Sequence, residues 1–409
     1  MSYKRYFARA LDADPERLHF AAHSHHLWPD VSFDAHVRAW DDAARLADRK
    51  WDVVFGEIVP EAQAHVARIV GLPDPTTVVF APNTHELVMR IWSCLPADRA
   101  VRVLTTDAEF HSFRRQTLRF EEAGRAKVER VAAEPFSTFA SRFATHAASG
   151  EHELVYLSHV FFDSAFVVCD LAAIVEAVPD PETFAVIDAY HGFMAIPTDL
   201  APLAQRAFYL GGGYKYAMSG EGVCFAHCPP GYGARPVDTG WFAGFEGLPA
   251  TAAAGAVAYP TDGARFLGAT LDPSALYRFG AVMRWLLDIG VTVADIHRHV
   301  RALQERFLDG LEAAGSPLVE ALVPERGGVP DRGNFLTLRL PEAADLHRRL
   351  LDDNVVTDVR GDRLRIGFGV YHDPEDVDEL VSRLRHLALG AGVRPNRADP
   401  IASASNPRE

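Results

Sequence analysis

The stretch GGGYKYAMSGEG, residues 211–222, sets a lysine between two tyrosines directly after the apolar run RAFYL (206–210). An ammonium is strongly hydrated and shifts its pKa readily when buried, so Lys215 is either a loop charge in water or an amine held partly dry for chemistry. The run before it reads as a strand, and three glycines let the backbone turn or approach a ligand closely. Tyr214 and Tyr216 each offer a hydroxyl and an apolar wall. An amine so placed favours its neutral, nucleophilic form, the form that condenses with an aldehyde. A YKY tripeptide alone is more often surface than catalytic, so the decision rests on what surrounds it.

Working outward, short apolar runs alternate with amphipathic stretches. TTVVFAP (76–82), RVLTTD (102–107), ELVYLSHV (153–160), TFAVIDA (183–189), RAFYLGG (206–212) and GVCFAH (222–227) read as strands. THELVMRIWSCL, EFHSFRRQTLRFEEAG, TFASRFATHAASG and DLAAIVEAVP show helical spacing. The alternation predicts an α/β fold with a mostly parallel central sheet, helices on both faces and the ligand site at the carboxyl ends of the strands. From residue 271 the pattern changes to two helical stretches, then the strands NFLTLRL and RLRIGFG around a helix at AADLHRRLLDDN, and a last helix from Asp373. The expected organisation is an N-terminal segment over 1–50 contributing to the active site, a large domain over 51–270, a smaller α+β domain over 271–390 and a disordered tail over 391–409.

With 48% apolar and 23% charged residues in 409, the composition is that of an ordinary globular protein. A formal net charge of −14 argues against nucleic acid as a partner, because phosphate backbones require clustered Lys and Arg. No stretch has the ~18–20 consecutive apolar residues of a membrane helix, and acids interrupt the opening too early for a secretion signal. The expectation is a cytoplasmic enzyme with no membrane partner. Cys94, Cys169, Cys224 and Cys228 are too few for a disulfide framework and lack the paired spacing of a zinc site; they are assigned no function, and no metal is expected.

Two further motifs stand at strand ends. In VIDAYHGF, a strand closes on Asp188 and His191 follows three positions later; a carboxylate there can hold a ring nitrogen in its protonated form. In FAPNTHEL, Asn83 and Thr84 fall at a helix start, where unpaired amides bind phosphate without net positive charge, although an ordinary cap accounts for them equally well. A phosphate loop, a dinucleotide fingerprint and a nucleophile elbow are not supported, since none of their glycine, lysine and serine orders occurs.

The order of Asp188, His191 and Lys215 at successive strand ends resembles the fold-type I pyridoxal-phosphate enzymes of the class V aminotransferase group, and within it the kynureninases. The resemblance implies that Lys215 is the Schiff-base lysine, Tyr214 a phosphate ligand, Asp188 the partner of the pyridine nitrogen and His191 its neighbour. Through PNTHEL it implies Asn83 and Thr84 at the phosphate; through DAEFHS, Phe110 stacked on the cofactor face; through GWFAGFE, Trp241 near the phosphate. FLGATLDPSALY implies that Thr270 reaches the phosphate of a neighbouring subunit, hence a homodimer with its active site at the interface. DRLRIGFGVYHDPEDV implies Arg365 at the substrate α-carboxylate. Strand alternation puts Arg363 on the same face and Arg360 close by, so the pattern itself leaves those alternatives open.

The implied activity is hydrolytic cleavage of a C–C bond in the side chain of an amino acid. An aminotransferase or a C–S or β-lyase would use Lys215, Asp188 and Arg365 alike, and a cofactor-free binding protein on the same fold is the non-enzymatic alternative. A persulfide mechanism of the cysteine desulfurase kind is disfavoured because no cysteine follows Cys228. The chain departs from the kynureninase pattern in FAAHSHHLWPD (20–30), where glycines are replaced and His23, His25 and His26 appear beside Ser24. These are expected to line the substrate pocket, with Ser24 and His25 as substrate contacts.

Overall fold

The computed structural model describes residues 2–247 and 256–389, so the tail expected to be disordered lies outside the described residues. The main sheet has 7 strands: β1 (Val78–Ala81), β2 (Val101–Thr106), β3 (Ala126–Val131), β4 (Leu154–Ser158), β5 (Phe184–Asp188), β6 (Ala207–Gly212) and β7 (Cys224–His227). Their order across the sheet is β1-β7-β6-β5-β4-β2-β3. Every strand read from the sequence between 76 and 227 is present. β3 was not foreseen: its AKVERV alternates charged and apolar residues because it is the sheet edge, where one face meets water.

The topology collects chemistry at one edge. β2, β4, β5 and β6 run parallel, so their carboxyl ends coincide. β7 is antiparallel to both neighbours, which returns β1 to the common direction and brings the start of β7 to that same edge. Phe225, Tyr190 and Val223 occupy the space a side chain would need at Gly211, Gly212 and Gly213 respectively. The triple glycine is therefore required by close packing under the Lys215 turn.

The smaller sheet, order β9-β10-β8, comprises β8 (Phe335–Arg339), β9 (Asp358–Arg360) and β10 (Arg363–Gly367), all antiparallel. Its apolar face packs on Leu303, Phe307 and Leu380 from two helices, and Phe20 of the N-terminal segment is buried in the same core. The helix Ser274–Asp288, expected to open this domain, belongs instead with the large sheet: Phe279, Val282 and Trp285 share a core with Phe193 and Phe225. Its helical periodicity carries no information on which core it faces. Arg278 from this helix donates to the carbonyls of Ser219 (3.0 Å) and Glu221 (2.7 Å), bracing the loop that follows Lys215.

Candidate active site

A cavity of about 470 Å³ opens at the carboxyl edge of the main sheet, lined among others by Asn83, Thr84, Phe110, Asp188, His191, Tyr214 and Lys215. Seven sequence-derived candidates from four separate strand ends thus converge.

Asp188 closes β5 beneath the cavity. Its Oδ2 accepts from the Tyr156 hydroxyl at 2.9 Å and its Oδ1 from the Tyr190 amide at 2.9 Å. Tyr156 is held by a face-to-face stack on Phe113, with centroids 3.6 Å apart. Burial raises the Asp188 pKa, while the two hydrogen bonds and the charge of Lys215 pull it back.

Lys215 is buried, with Nζ 2.8 Å from His191 Nε2 and within 5.3 Å of the Phe110 ring centroid and 4.8 Å of that of Tyr190. Desolvation, reinforced by the charge of Arg365, pushes its pKa down to about 7. Burial and the same two cations push the His191 imidazole well below its ordinary value, so it is neutral beside the amine. The choice left open by the sequence is thereby decided for a dry amine.

Asn83 is the N-cap of the helix Thr84–Trp92, its side chain accepting from the Glu86 amide at 3.0 Å. The first amides of a helix have no intrahelical partner, so the Asn83 cap does not exclude an anion at this helix start. The thiol of Cys224 also lines the cavity, but burial pushes it up to about 12 and Tyr190 Oη lies 3.3 Å from its sulfur.

One group was missed in the sequence. Glu109, next to Phe110, is buried and receives hydrogen bonds from Thr106 Oγ1 (2.7 Å), the Ser158 amide (3.1 Å) and Ser158 Oγ (2.6 Å). Ser158 lines the cavity and pairs with Asp188 in the sheet register. Burial raises Glu109 to about 8, against its three donors and with help from the Asp188 charge. The available signal was that Glu109 and Ser158 both sit at strand ends, but only the strand order makes them neighbours.

Other expected residues stand apart from the cavity lining. Trp241 is exposed and donates from Nε1 to Thr270 Oγ1 at 3.1 Å, and neither is among the residues lining the cavity. The three histidines do not form one pocket lining. His25 is exposed at the rim, stacked on Tyr214 with centroids 5.0 Å apart, 3.6 Å from Glu221 and 3.3 Å from Ser24 Oγ. His26 is buried with Phe7 and Tyr371, its Nδ1 2.7 Å from the Leu27 carbonyl oxygen, and His23 is buried against Phe335.

Arg365 is buried, bonded to Asp358 and to the Phe162 carbonyl, and desolvation lowers it to about 10. Its competitors are engaged elsewhere: Arg363 meets Asp163 (3.5 Å) and Glu134 (3.4 Å), while Arg360 is exposed.

This donor set fits pyridoxal phosphate. A depressed amine suits an aldehyde, a buried carboxylate suits a pyridine nitrogen, an aromatic ring suits the cofactor face, and a helix start with a hydroxyl suits a phosphate. Gly222, which lines the same cavity at φ +92°, is tolerated only without a side chain.

The chain belongs to the class V aminotransferases: residues 47–329 match that family. It is accordingly a pyridoxal-phosphate-dependent enzyme of that class. Residues 296–384 match the kynureninase C-terminal domain. A comparison with curated proteins finds no match. Among solved structures, the chain is similar to the apo cysteine desulfurase of Thermococcus onnurineus NA1, at 17% identity and TM-score 0.75, covering 95% of this chain and 99% of that one. It is also similar to a lysine-to-alanine mutant of C-DES with glycine covalently linked to the PLP cofactor (16% identity, TM-score 0.77, 94% and 99% covered). The Escherichia coli cysteine desulfurase CsdA aligns at 15% identity and TM-score 0.74, with 95% and 98% covered. At these identities the likeness establishes the shared fold. Among the described residues no helix is long and apolar enough to cross a membrane.

Proposed function

We propose that the enzyme cleaves a C–C bond in the side chain of an aryl-bearing amino acid by hydrolysis, in the manner of kynureninase. The observation that carries the reading is the setting of Arg365. It lies in the segment similar to the kynureninase C-terminal domain, and its Cζ is 5.8 Å from both the Phe162 and Phe335 rings. A cation between aromatic walls suits an α-carboxylate attached to an aryl side chain.

When bound, pyridoxal phosphate supplies an electron sink for charge developing at the substrate α-carbon. Lys215, Thr84, Asn83 and Tyr214 would hold it, with Phe110 on its face and Asp188 at its ring nitrogen. Lys215, near its pKa at neutral pH, can hold or release a proton at Nζ, and His191 stands 2.8 Å away to steady the neutral amine. Asp188 is fixed in one orientation by Tyr156 and the Tyr190 amide, so it would meet a ring nitrogen without first reorienting. The Trp241–Thr270 pair suits a homodimer in which the two serve a second copy. A persulfide route is disfavoured, since the protonated thiol of Cys224 is a poor nucleophile.

The test is a product screen of the cofactor-loaded enzyme with L-kynurenine, 3-hydroxykynurenine, L-aspartate, L-cysteine and cystine. Anthranilate and alanine from kynurenine are expected; sulfur release from cysteine or cystine with kynurenine untouched would replace the reading by a C–S lyase.

A further inference from the structure

Asp358 on β9 stands opposite Arg365 on β10 in the strand register. Its carboxylate is divided: Oδ1 accepts from Arg360 Nη1 at 2.6 Å and Oδ2 is bonded to Arg365 Nη2. The other terminal nitrogen of Arg365 donates to the Phe162 carbonyl, and its buried Nε has no hydrogen-bond partner among the described residues. Near the same Asp358 oxygen, Oδ2, lies His23, fully buried and stacked on Phe335 with centroids 4.7 Å apart. Among the described residues neither ring nitrogen of His23 has a hydrogen-bond partner, and Nε2 is 3.7 Å from Asp358 Oδ2.

We propose that Asp358 is a specificity-determining residue that competes with the substrate α-carboxylate for Arg365, its Oδ2 passing to His23 while Arg360 retains Oδ1. The proposal rests on the reading of Arg365 as the carboxylate anchor. Nη2 belongs to both bidentate edges of a guanidinium, so a carboxylate held on Nη2 stands in the way of a second one seeking a paired contact. A buried cation stripped of its partner is strongly destabilising, so the fork is covered until a second carboxylate takes it over. A buried imidazole with unused nitrogens, close to the oxygen that must move, is the place where that oxygen regains a hydrogen bond. A ligand without a carboxylate makes no such exchange, so Asp358 sets how strongly the site prefers amino acids to the corresponding amines by lowering the affinity for the amino acids alone.

The test uses the cofactor-loaded enzyme and two probes differing only in the carboxylate, L-phenylalanine and 2-phenylethylamine. Neither has the side-chain carbonyl that hydrolytic cleavage needs, so calorimetric Kd values report binding. Asp358→Asn is expected to tighten L-phenylalanine roughly tenfold, the equivalent of about 1.4 kcal/mol, and to leave 2-phenylethylamine unchanged. His23→Phe, which keeps the stack, is expected to weaken L-phenylalanine several-fold, an effect lost in the Asp358→Asn background. Unchanged or weaker L-phenylalanine binding in Asp358→Asn, or an unaffected His23→Phe enzyme, overturns the proposal. His23→Phe decides the matter alone if Asp358→Asn does not fold. Should the unmodified enzyme not prefer L-phenylalanine, or should Arg365→Ala keep the preference, the anchor reading itself fails and the proposal falls with it.

Discussion

Replacing Glu109 by glutamine isolates a buried carboxyl whose charge the fold opposes. Glutamine matches the shape of the protonated acid and cannot ionise. Glu109 has its pKa raised from 4.5 to about 8 in the folded enzyme. Between those values the folded chain keeps a proton that the unfolded chain has released. The stability contributed by the folded state's extra proton is therefore full below pH 4.5 and is lost as pH rises through 8. At about 1.4 kcal/mol per pH unit, the whole displacement amounts to about 5 kcal/mol, of which about 3 kcal/mol falls between pH 5.5 and 8. Chemical denaturation at those two pH values, on the enzyme and on Glu109→Gln, reads the difference directly. The enzyme is expected to lose about 3 kcal/mol more than the variant on going from pH 5.5 to 8. The buried histidines contribute equally to both proteins and cancel. Equal changes in the two would refute the assignment of a neutral Glu109. Such a neutral acid leaves Asp188 as the charged carboxylate at the sheet edge, which is what a cationic pyridine nitrogen requires.

Three other outcomes follow from the same geometry. Lys215, with its pKa lowered to about 7, should react with an amine reagent in the cofactor-free protein along a curve whose midpoint lies near pH 7; a midpoint near the ordinary lysine value of 10.5 contradicts its burial. Arg365→Ala should weaken amino-acid binding tenfold or more, by the loss of a charge-assisted fork, with cofactor affinity unchanged; equal loss of both contradicts its role. His19, His159 and His227 have pKa values lowered to about 4 by burial, so their stabilising neutrality is complete above 6.5 and is lost as pH falls toward 4. In the Glu109→Gln background the unfolding free energy should therefore fall as pH drops from 6.5 to 4.5, and a flat profile over that window would show these imidazoles to be solvated.

What was legible in the sequence was what burial forces on a strand. β4, β5 and β6 are covered on both faces, so they appear as continuous apolar runs ending abruptly in Ser158, Asp188 and the triple glycine. Lys215 and Asp188 stood out because polar residues at such ends have few structural reasons to be there. β3 was hidden because an edge strand need bury only one face. The partnership of Glu109 with Ser158 was hidden because it crosses from the loop after β2 to the end of β4, residues 49 apart. Asp358 was invisible for the same reason, its importance lying in the cross-strand position opposite Arg365 and in the approach of His23 from the N-terminal segment. The histidine cluster of residues 23–26 looked like one feature because it is contiguous, yet a tight turn sends its members to a domain core, a cavity rim and an aromatic contact with Tyr371.

The central claim is that Lys215 and Asp188 grip a single pyridine ring in one cavity. Titration of pyridoxal phosphate into the purified cofactor-free protein, followed by absorbance, tests it most directly against Lys215→Ala and Asp188→Ala. The expected result is a new absorption band with the unmodified protein, absent from Lys215→Ala, and cofactor affinity at least tenfold weaker in Asp188→Ala. An identical band in Lys215→Ala, or undiminished affinity in Asp188→Ala, would contradict it.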